Sequence, residues 1–340
     1  MNFAIPQRRR AVGLDIGSGA VRVMMLQRRA GGLRVAGVGV APVEGGGPGQ
    51  VAAAIHVALA QARADGEPVV AAIGGPEVVI RQVSLPPLPR TRIVSALEMQ
   101  HREFGLLPPA EGVLDAQIFR RSNDAGSTEI LAISAPRALV EERARLLQQA
   151  AVRVKILDVE ALALLNGVLY LTELEPGELL VAVTVGRRRT VLCLFSEDGP
   201  VVVRHLEVGA EAFTERLGLD PHIGPRSGDS LRREPAAPDP PEAEERCRDL
   251  IGLMAEEIRL SVAFYRSEYD RESLPRYVLG GWMGLPQLGG WLEDRLGLGS
   301  PFELMDPLQA FETEGPRSLE ESGPPGPEFL QAFGLALRGL

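Results

Sequence analysis

Short apolar runs separated by glycines open the chain and predict three strands joined by tight turns. The runs AVGLDIG, AVRVMML and LRVAGVGVAPV begin within residues 11–40 and are rich in Val and Leu. Residues 49–66 then place apolar side chains at helical spacing, with Gly66 as the predicted stop, and PVVAAIGG predicts a buried strand. This β-β-β-α-β order, with hairpins before a helical crossover, indicates a mixed sheet.

The same pattern returns in the second half of the chain. The stretch ELLVAVTVGRRRTVLCLFSEDGPVVVRHLEVG again predicts strand, turn, strand, turn and strand, and its turn glycine Gly186 aligns with Gly17. The helix predicted for AEAFTERLGL follows, as a helix follows the first unit. An internal duplication of this kind predicts an α/β fold of two lobes with a cleft between them.

Between the two units, residues 76–155 predict a small inserted α/β subdomain whose first helix has Thr91 as a candidate cap. Residues 220–244 carry Pro, Gly and charge with few apolar side chains, which predicts a flexible linker. The predicted division is a first lobe over residues 1–175 with the insertion 76–155, completed by a C-terminal helix over 328–340, and a second lobe over residues 176–327 with the flexible stretch 220–244.

Composition narrows the class of protein. A chain of 340 residues corresponds to about two domains at roughly 150 residues each, and 45% hydrophobic with 24% charged residues is typical of globular proteins. A net charge of −9 argues against a nucleic-acid-binding surface. Without an apolar run of membrane-spanning length or a signal-peptide pattern, we expect a cytoplasmic protein in which Cys193 and Cys247 are reduced.

The first turn, GLDIGSGAVR, carries candidate chemistry. The strand delivers Asp15 at its end, and Gly17 and Gly19 permit a tight turn whose N–H groups, with that of Ser18, converge as in a phosphate-binding nest. Asp15 could then hold a hydrated Mg²⁺ and Arg22 could add positive charge. A plain hairpin capped by Asp15 is the alternative. A dinucleotide-binding turn is excluded, because no third glycine and no immediate helix follow.

Two further glycine-bearing turns favour nucleotide binding over coincidence. The turn at Gly186 in VTVGRRRTVLCLF would face the first turn across the cleft, so that the two turns could clamp a polyphosphate. In VLGGWMGLP, Gly280 and Gly281 follow a strand and would let a flat base or ribose approach the backbone closely.

These residues, in this order, resemble the actin-like ATPase fold, and within it the chain is similar to the PilM family of type IV pilus assembly. The segments that carry the resemblance run in family order across nearly the whole chain: VGLDIGSGAVRVMML, LPPLPRTRIVSALEMQHREFGLLPP with VLDAQIF, VRVKILDVEALAL, VVVRHLEVGAEAFT, EEIRLSVAFYRS, VLGGWMGLPQLGGWLEDRLGL and AFGLALRGL. The segment containing LPPLP is the most specific, since other actin-like proteins lack it.

The resemblance implies an adaptor that binds ATP and Mg²⁺ between two lobes and sits in the cytoplasm, peripheral to the inner membrane through its partners. Its expected partner is the short N-terminal cytoplasmic tail of a PilN-like inner-membrane protein, held in a groove between the first lobe and the insertion at residues 76–155. Contacts with other pilus platform proteins are expected as well, and self-association is left open.

Matched residue by residue, the resemblance assigns a set of cofactor-binding positions. They are Asp15, Gly17, Ser18, Gly19 and Arg22 in the first phosphate motif, with Asp15 holding Mg²⁺ through water; Gly186 and Thr190 in the second; Glu211 and Glu257 near the nucleoside; and Gly280 and Gly281 in the adenosine motif.

Three departures from the family pattern put hydrolysis in doubt. Thr184 stands where the second phosphate motif usually has an Asp, so metal-assisted hydrolysis should be weakened or lost. Residues 187–189 are three arginines, which could clamp phosphate or form a solvated charged turn. Trp282 replaces a usual glycine and could stack on a base or block it.

Two other functions on the same fold are weighed. A small-molecule kinase would need a carboxylate in the cleft, for which Asp15, Asp158 and Glu160 are the candidates, and no substrate-pocket pattern accompanies them. A cell-division adaptor would need a basic amphipathic C-terminal helix and a secretion-type relative a membrane span, and the sequence predicts neither.

Overall fold

The computed structural model describes residues 10–30, 32–43, 45–121, 126–197, 199–218, 240–269, 274–281, 287–311 and 326–340. The strands are β1 (Arg10–Ile16), β2 (Ala20–Arg29), β3 (Gly32–Pro42), β4 (Val69–Ile73), β5 (Val79–Leu85), β6 (Gly112–Arg121), β7 (Thr128–Pro136), β8 (Val154–Val159), β9 (Glu178–Val185), β10 (Thr190–Phe195), β11 (Val202–Leu206), β12 (Leu274–Gly281) and β13 (Glu303–Leu304). The helices are α1 (Pro48–Gln61), α2 (Arg90–Met99), α3 (Arg137–Gln149), α4 (Glu160–Leu171), α5 (Ala210–Leu217), α6 (Pro240–Tyr269), α7 (Leu288–Leu296), α8 (Pro307–Ala310) and α9 (Leu330–Gly339), the last preceded by a 3₁₀ turn, Gly326–Phe329.

Two five-stranded sheets share one topology, which confirms the predicted duplication. The first has the order β3-β2-β1-β4-β8 and the second the order β11-β10-β9-β12-β13. In both, the three strands joined by hairpins are antiparallel and the last two run parallel to the first strand of the unit. Because the crossover strand of each lobe runs parallel to the first strand, its C-terminal end and the first turn of the lobe lie at the same edge of the sheet.

Alternate residues along each central strand enter different cores, as the pleat of a strand requires. In the first sheet, Val23 and Met25 pack with α1 and α3, whereas Met24 and Leu26 pack with α9. In the second sheet, the odd-numbered residues of β9 pack with α5, α6 and α7, and the even-numbered Leu180 and Ala182 pack with α4. Helices α4 and α9 also pack on one another, so they join the two lobes.

Helix α9 lies against the first sheet at the closest distance that a backbone allows. A Cβ on Gly13 of β1 would lie 2.0 Å from the carbonyl oxygen of Ala332, and one on Gly334 would lie 1.7 Å from that of Ala163 in α4. Only glycine leaves room for such contacts. The C-terminal helix therefore packs with the first sheet.

The three-stranded sheet β5-β7-β6, with α2 on it, forms the inserted subdomain. Strand β8, which the sequence groups with the insertion at residues 76–155, instead pairs with β4 in the first large sheet. Helix α3 contributes Leu147 and Ala150 to the core of that sheet. The second half of the predicted block therefore returns to the first lobe.

Local boundaries differ from the prediction at three places. Helix α1 ends at Gln61, before the predicted stop at Gly66, because Arg63 adopts a φ of +53°. Helix α2 starts one residue before Thr91, and no side chain caps it. Helix α6 begins at Pro240 and so includes the last residues of the stretch 220–244. Residues 220–239 of that stretch lie outside the described residues, and so does Trp282.

Within the described ranges, no helix combines the length and the apolar composition that crossing a membrane requires.

Candidate functional site

A cavity of about 660 Å³ lies between the two lobes. Two turns line it from opposite sides: the first loop, residues 17–19, connects β1 to β2, and the second loop, residues 186–189, connects β9 to β10. The 3₁₀ turn and the start of α9 line it as well, through Glu328 and Gln331. The volume is that of a pocket for a ligand of nucleotide size.

The two loops are closed by the same hydrogen bond. The N–H of Gly17 donates to the carbonyl oxygen of Ala20 at 3.1 Å, and the N–H of Gly186 donates to that of Arg189 at 2.9 Å. A Cβ on Gly17 would lie 3.1 Å from that oxygen, and one on Gly186 would lie 2.8 Å from its counterpart. Each turn thus needs its glycine for close approach, which is the reason why the repeat is visible in the sequence.

Asp15 stands at the end of β1 with its carboxylate buried in the cavity wall. Its Oδ1 accepts a hydrogen bond of 3.0 Å from Nε2 of Gln331 on α9. Burial raises the pKa of Asp15 from 3.8 to about 7, although Arg22 and Arg143 oppose the shift. The carboxylate is therefore partly protonated near neutral pH when the cavity holds nothing else.

Arg22 does not extend freely into the cavity. Its guanidinium forms an ion pair with Glu328, with Nε donating to Oε2 at 3.2 Å, and both side chains are largely buried. The predicted phosphate-binding role of Arg22 requires this pair to open or to share its charge. Glu328 was not a candidate in the sequence, because the chain distance of 306 residues leaves no local pattern.

Arg143 and Glu160 complete the wall on the side of the first lobe. Nη1 of Arg143 donates to the carbonyl oxygen of Ile16 at 3.4 Å, and burial raises the pKa of Glu160, opposed by Arg143. A Cβ on Gly74 would lie 1.7 Å from Oε2 of Glu160, so the glycine after β4 makes room for this carboxylate. Of the carboxylates considered for a kinase, Glu160 lines the cavity and Asp158 does not.

The second loop is held by carboxylates of the second lobe. Nη2 of Arg187 donates to Oε1 of Glu211 at 3.1 Å, and Nε of Arg188 lies 3.7 Å from Oε2 of the same residue. Arg189 pairs with Glu207 at 2.9 Å in a more exposed position. Glu211, which the sequence places near the nucleoside, lines the cavity and organises the arginines.

The two threonines of this region have different roles. Thr184 lines the cavity, and its buried Oγ1 has no hydrogen-bond partner among the described residues. Thr190 is fully buried, donates its hydroxyl to the carbonyl oxygen of Val208 at 2.7 Å, and is not among the residues that line the cavity. Its assignment to the second phosphate motif stays a prediction.

The glycine pair at the end of β12 contributes one residue to the cavity. Gly281 lines it with a φ of +86°, and a Cβ there would lie 2.3 Å from the carbonyl oxygen of Val185. Gly280 instead faces Leu330, whose Cδ2 would be 2.6 Å from an added Cβ. Glu257 is exposed on α6 and does not line the cavity.

Sequence reasoning missed the matching pair after β4. Gly74 and Gly75 line the cavity from the first lobe, and Gly75 has a φ of +128°. The motif AAIGG that ends β4 repeats the motif YVLGG that ends β12, so the internal duplication could have identified it. In contrast, Gln331 and Arg143 reach the site only through tertiary packing, which no spacing in the sequence reveals.

The cavity offers cationic and anionic walls in place of a metal-ligand cluster. In the described part of the chain, no three His, Cys, Asp or Glu side chains are grouped as metal ligands usually are. Arginines dominate on the second loop, and Asp15, Glu160 and Glu328 gather on the first-lobe side. Such a site can hold an anion by charge and by backbone N–H groups.

Comparison with known proteins identifies the architecture. The model of the family described as type IV pilus assembly protein PilM matches residues 13–340. Among solved structures, a PilM–PilN type IV pilus biogenesis complex matches with a TM-score of 0.77 and 25% identity, over 98% of this chain and 99% of that chain. Ethanolamine utilization protein EutJ from Carboxydothermus hydrogenoformans matches with a TM-score of 0.53 and 12% identity, over 97% and 90% of the two chains, which shows the fold alone. The chain has the actin-like ATPase fold, as the sequence predicts.

Proposed function

The chain belongs to the PilM family of type IV pilus assembly proteins, and from this premise we propose that it is a nucleotide-binding adaptor that holds the cytoplasmic tail of a PilN-like inner-membrane protein. The observation that carries the proposal is the match to a PilM–PilN complex over 98% of this chain. In this proposal the protein is cytoplasmic and peripheral to the inner membrane through its partner. Contacts with other pilus platform proteins, and self-association, stay predictions.

We place the tail of the partner at the junction of the first lobe and the inserted subdomain. Strand β8 is an outer strand of the first large sheet and β6 is an outer strand of the small sheet. The two carboxylates on these strands interact electrostatically, because Asp115 on β6 adds to the rise that burial causes in the pKa of Asp158 on β8. Each strand also carries a partly exposed valine near its start, Val154 on β8 and Val113 on β6. An extended peptide can pair with an outer strand and seat alternate side chains.

Titration calorimetry with a peptide of the partner's N-terminal tail tests this proposal. We expect saturable binding to the wild type and at least a tenfold loss of affinity in Val113→Arg, because the arginine places charge and bulk at the predicted groove. Val57→Arg is the matched control, since Val57 is an exposed valine on α1 and should leave the affinity unchanged. Absence of binding to the wild type, with or without ATP, would overturn the proposal.

For the nucleotide, we propose that the first and second loops bind the phosphate chain in the cavity between the lobes. Ser18 and Gly19 offer backbone N–H groups, and Arg187 and Arg188 of the second loop offer charge. Oγ1 of Thr184 and Nε of Arg187 are buried and have no hydrogen-bond partner within the described ranges, and both residues line the cavity, which suits a polar ligand at this place. A bound nucleotide would supply an anion that contacts both lobes.

Metal binding and hydrolysis stay predictions. The sequence assigns a hydrated Mg²⁺ to Asp15, and Asp15 lies in the cavity wall where its oxygens could accept from such a water. Thr184 replaces the expected acid of the second motif, so we expect little ATP hydrolysis. Calorimetric titration of ATP with MgCl₂ into the wild type and Asp15→Ala tests the assignment, and equal heats would overturn it.

A further inference from the structure

Arg187 is the residue through which the second loop reaches the first loop. Its Nη1 lies 3.5 Å from the carbonyl oxygen of Ser18. Its Cδ would lie 2.7 Å from a Cβ on Gly19, so the stem of the arginine rests on the backbone of the first loop. The guanidinium of Arg187 is therefore placed between the two turns that line the cavity.

The hydrogen bonds of Arg187 are incomplete. Nη2 donates to Glu211, but Nε is buried and has no hydrogen-bond partner among the described residues. A guanidinium carries five N–H donors in a fixed fork, and a buried donor without an acceptor is destabilising. Glu211 thus holds the side chain in position at the cavity wall, while the hydrogen-bond capacity of the guanidinium is not fully used.

A second polar atom without a partner lies in the same wall. Oγ1 of Thr184 is buried and also lacks a partner in the part of the chain that the structure describes. Thr184 is the penultimate residue of β9, two positions before Gly186 of the second loop, and both Thr184 and Arg187 line the cavity. A threonine hydroxyl can donate to an anion, whereas an acid at this position would repel it.

The charge of the cavity wall is divided between the lobes. On the second lobe, the three arginines of the second loop face two carboxylates, Glu207 and Glu211. On the first lobe, Arg22 and Arg143 face three carboxylates, namely Asp15, Glu160 and Glu328. The excess of positive charge therefore lies on the second loop, and an anionic ligand is attracted to that side.

We propose that Arg187 is a direct ligand of the nucleotide's phosphate chain and supplies the positive charge that a divalent cation would otherwise supply, so that ATP binds without one. Guanidinium groups bind phosphate oxygens in a bidentate manner and stay charged at every physiological pH. The inference rests on the proposed nucleotide site. It adds that Arg187 binds the phosphate chain and that ATP binding needs no metal ion.

The first test is calorimetric titration of ATP in buffer with EDTA and in buffer with MgCl₂. We expect dissociation constants that differ by less than threefold between the two buffers. Adenosine, which lacks the phosphate chain, should bind at least tenfold more weakly than ATP. ATP binding that requires Mg²⁺ would overturn the inference.

Two variants of the second loop identify the ligand. Arg187→Gln should weaken ATP binding at least tenfold in both buffers. Arg189→Gln is the matched control, because it removes the same charge from the same loop while the pair of Arg189 with Glu207 is exposed, and we expect less than a threefold change. Equal losses in the two variants would show a general charge effect and contradict a direct role of Arg187. Circular dichroism and thermal unfolding establish that each variant is folded.

A converse variant tests the same claim. Thr184→Asp places a carboxylate beside the phosphate, so ATP affinity in EDTA should fall at least tenfold and be recovered with MgCl₂. Thr184→Asn has a similar shape without the charge and should stay independent of Mg²⁺. Thr184→Asp with equal affinity in both buffers would contradict the inference.

The partner peptide is titrated on the same samples to separate the two levels of the argument. If the peptide binds and ATP requires Mg²⁺, the inference about Arg187 fails and the proposed adaptor stands. If ATP does not bind in either buffer, the nucleotide site itself is wrong and the inference falls with it. If neither the peptide nor ATP binds, the proposed function is overturned as a whole.

Discussion

The first and second loops are closed by the same backbone hydrogen bond, but their side chains carry opposite charge. Both connect antiparallel strands at equivalent places in sheets of one topology, and both are closed by a glycine N–H that donates to the carbonyl oxygen three residues later. The first loop follows a buried acid, Asp15, whereas the second follows Thr184 and carries three arginines. The turn geometry therefore constrains the glycines, and the side chains around them are free to diverge.

The helices that pack behind the two loops also differ, because they approach their sheets to different distances. Position 13 of β1 corresponds to Ala182 of β9, because each lies two residues before the acid or threonine at the end of its strand. At Gly13 the backbone of α9 touches the strand, whereas Ala182 keeps a side chain that packs with α4. Helix α9 is thus drawn closer to its sheet, and this brings Gln331 within hydrogen-bond distance of Asp15.

The largest expected effect comes from breaking that close contact. Gly13→Val would place side-chain atoms where the carbonyl oxygen of Ala332 and the amide nitrogen of Ala336 lie, at 2.0 and 2.6 Å from the new Cβ. Because backbone atoms cannot move aside without displacing α9, we expect the free energy of unfolding to fall by more than about 4 kcal/mol. Urea denaturation followed by circular dichroism measures the change.

Gly252→Ala is the control for this substitution. Gly252 lies in α6, and a Cβ there meets no atom of the described residues within 4 Å, so alanine should raise the stability by about 0.5–1 kcal/mol through its helix propensity. If Gly13→Val fails to fold, Gly13→Ala gives a measurable smaller loss. Wild-type stability of Gly13→Ala would show that α9 does not pack on β1 as described.

Much of the framework could be predicted because it rests on local patterns. The spacing of apolar residues located the strands of both lobes, and the recurrence of the glycine turns revealed the duplication. The assignment of β8 to the insertion was less successful, because its alternation of residues is the same whichever sheet it joins and only the packing of α3 decides it.

The site could be predicted only where a residue lies in a turn. Asp15 and the glycines at positions 17, 19 and 186 follow directly from strand ends and line the cavity. Gln331 and Glu328 come from the other end of the chain, so their approach to Asp15 and Arg22 depends on the packing of α9. No spacing within one segment contains that information.

The second prediction concerns the buried acid of the first loop. Because burial raises the pKa of Asp15 from 3.8 to about 7, the folded chain binds more protons than the unfolded chain between these values. The stability that this carboxyl contributes is therefore lost as the pH rises from about 4 to about 7. Asp15→Asn cannot ionise, so at pH 8 it should be more stable than the wild type by about 4 kcal/mol, since a rise of the pKa from 3.8 to about 7 corresponds to roughly 1.4 kcal/mol per pKa unit.

Urea denaturation at pH 5, 6, 7 and 8 in EDTA checks this dependence. The difference between Asp15→Asn and the wild type should increase up to about pH 7 and stay constant above it. A difference that is the same at all four pH values would indicate that the carboxyl titrates at its ordinary pKa, and the contrast between the two loops would then be smaller than described.

The third prediction concerns the equivalent position of the second loop. Thr184→Val removes a buried hydroxyl that has no partner among the described residues and keeps the branched shape. We expect a gain of about 1 kcal/mol in the free energy of unfolding, because the cost of desolvating the hydroxyl disappears. Since threonine does not titrate, this gain should be the same at pH 5 and pH 8. A loss of stability would reveal an acceptor for the hydroxyl.

The smallest expected effect separates the ion pairs of the two loops. Glu207, paired with Arg189, has 69% of its side chain exposed, whereas Glu328, paired with Arg22, has 7% exposed. Water and salt screen the first pair, so Glu207→Gln should cost less than about 0.5 kcal/mol and even less in 1 M NaCl. Thermal unfolding at low and high salt measures both values.

A loss of more than about 1 kcal/mol in Glu207→Gln would mean that Arg189 depends on its carboxylate as strongly as a half-buried pair does. The second loop would then be a fixed network in which all three arginines are neutralised, and its excess of positive charge would not be available to a ligand. A small, salt-sensitive loss instead leaves Arg189 solvated at the rim. In that case Arg187, held by Glu211 and in contact with the first loop, is the arginine that distinguishes the second turn from its acidic counterpart.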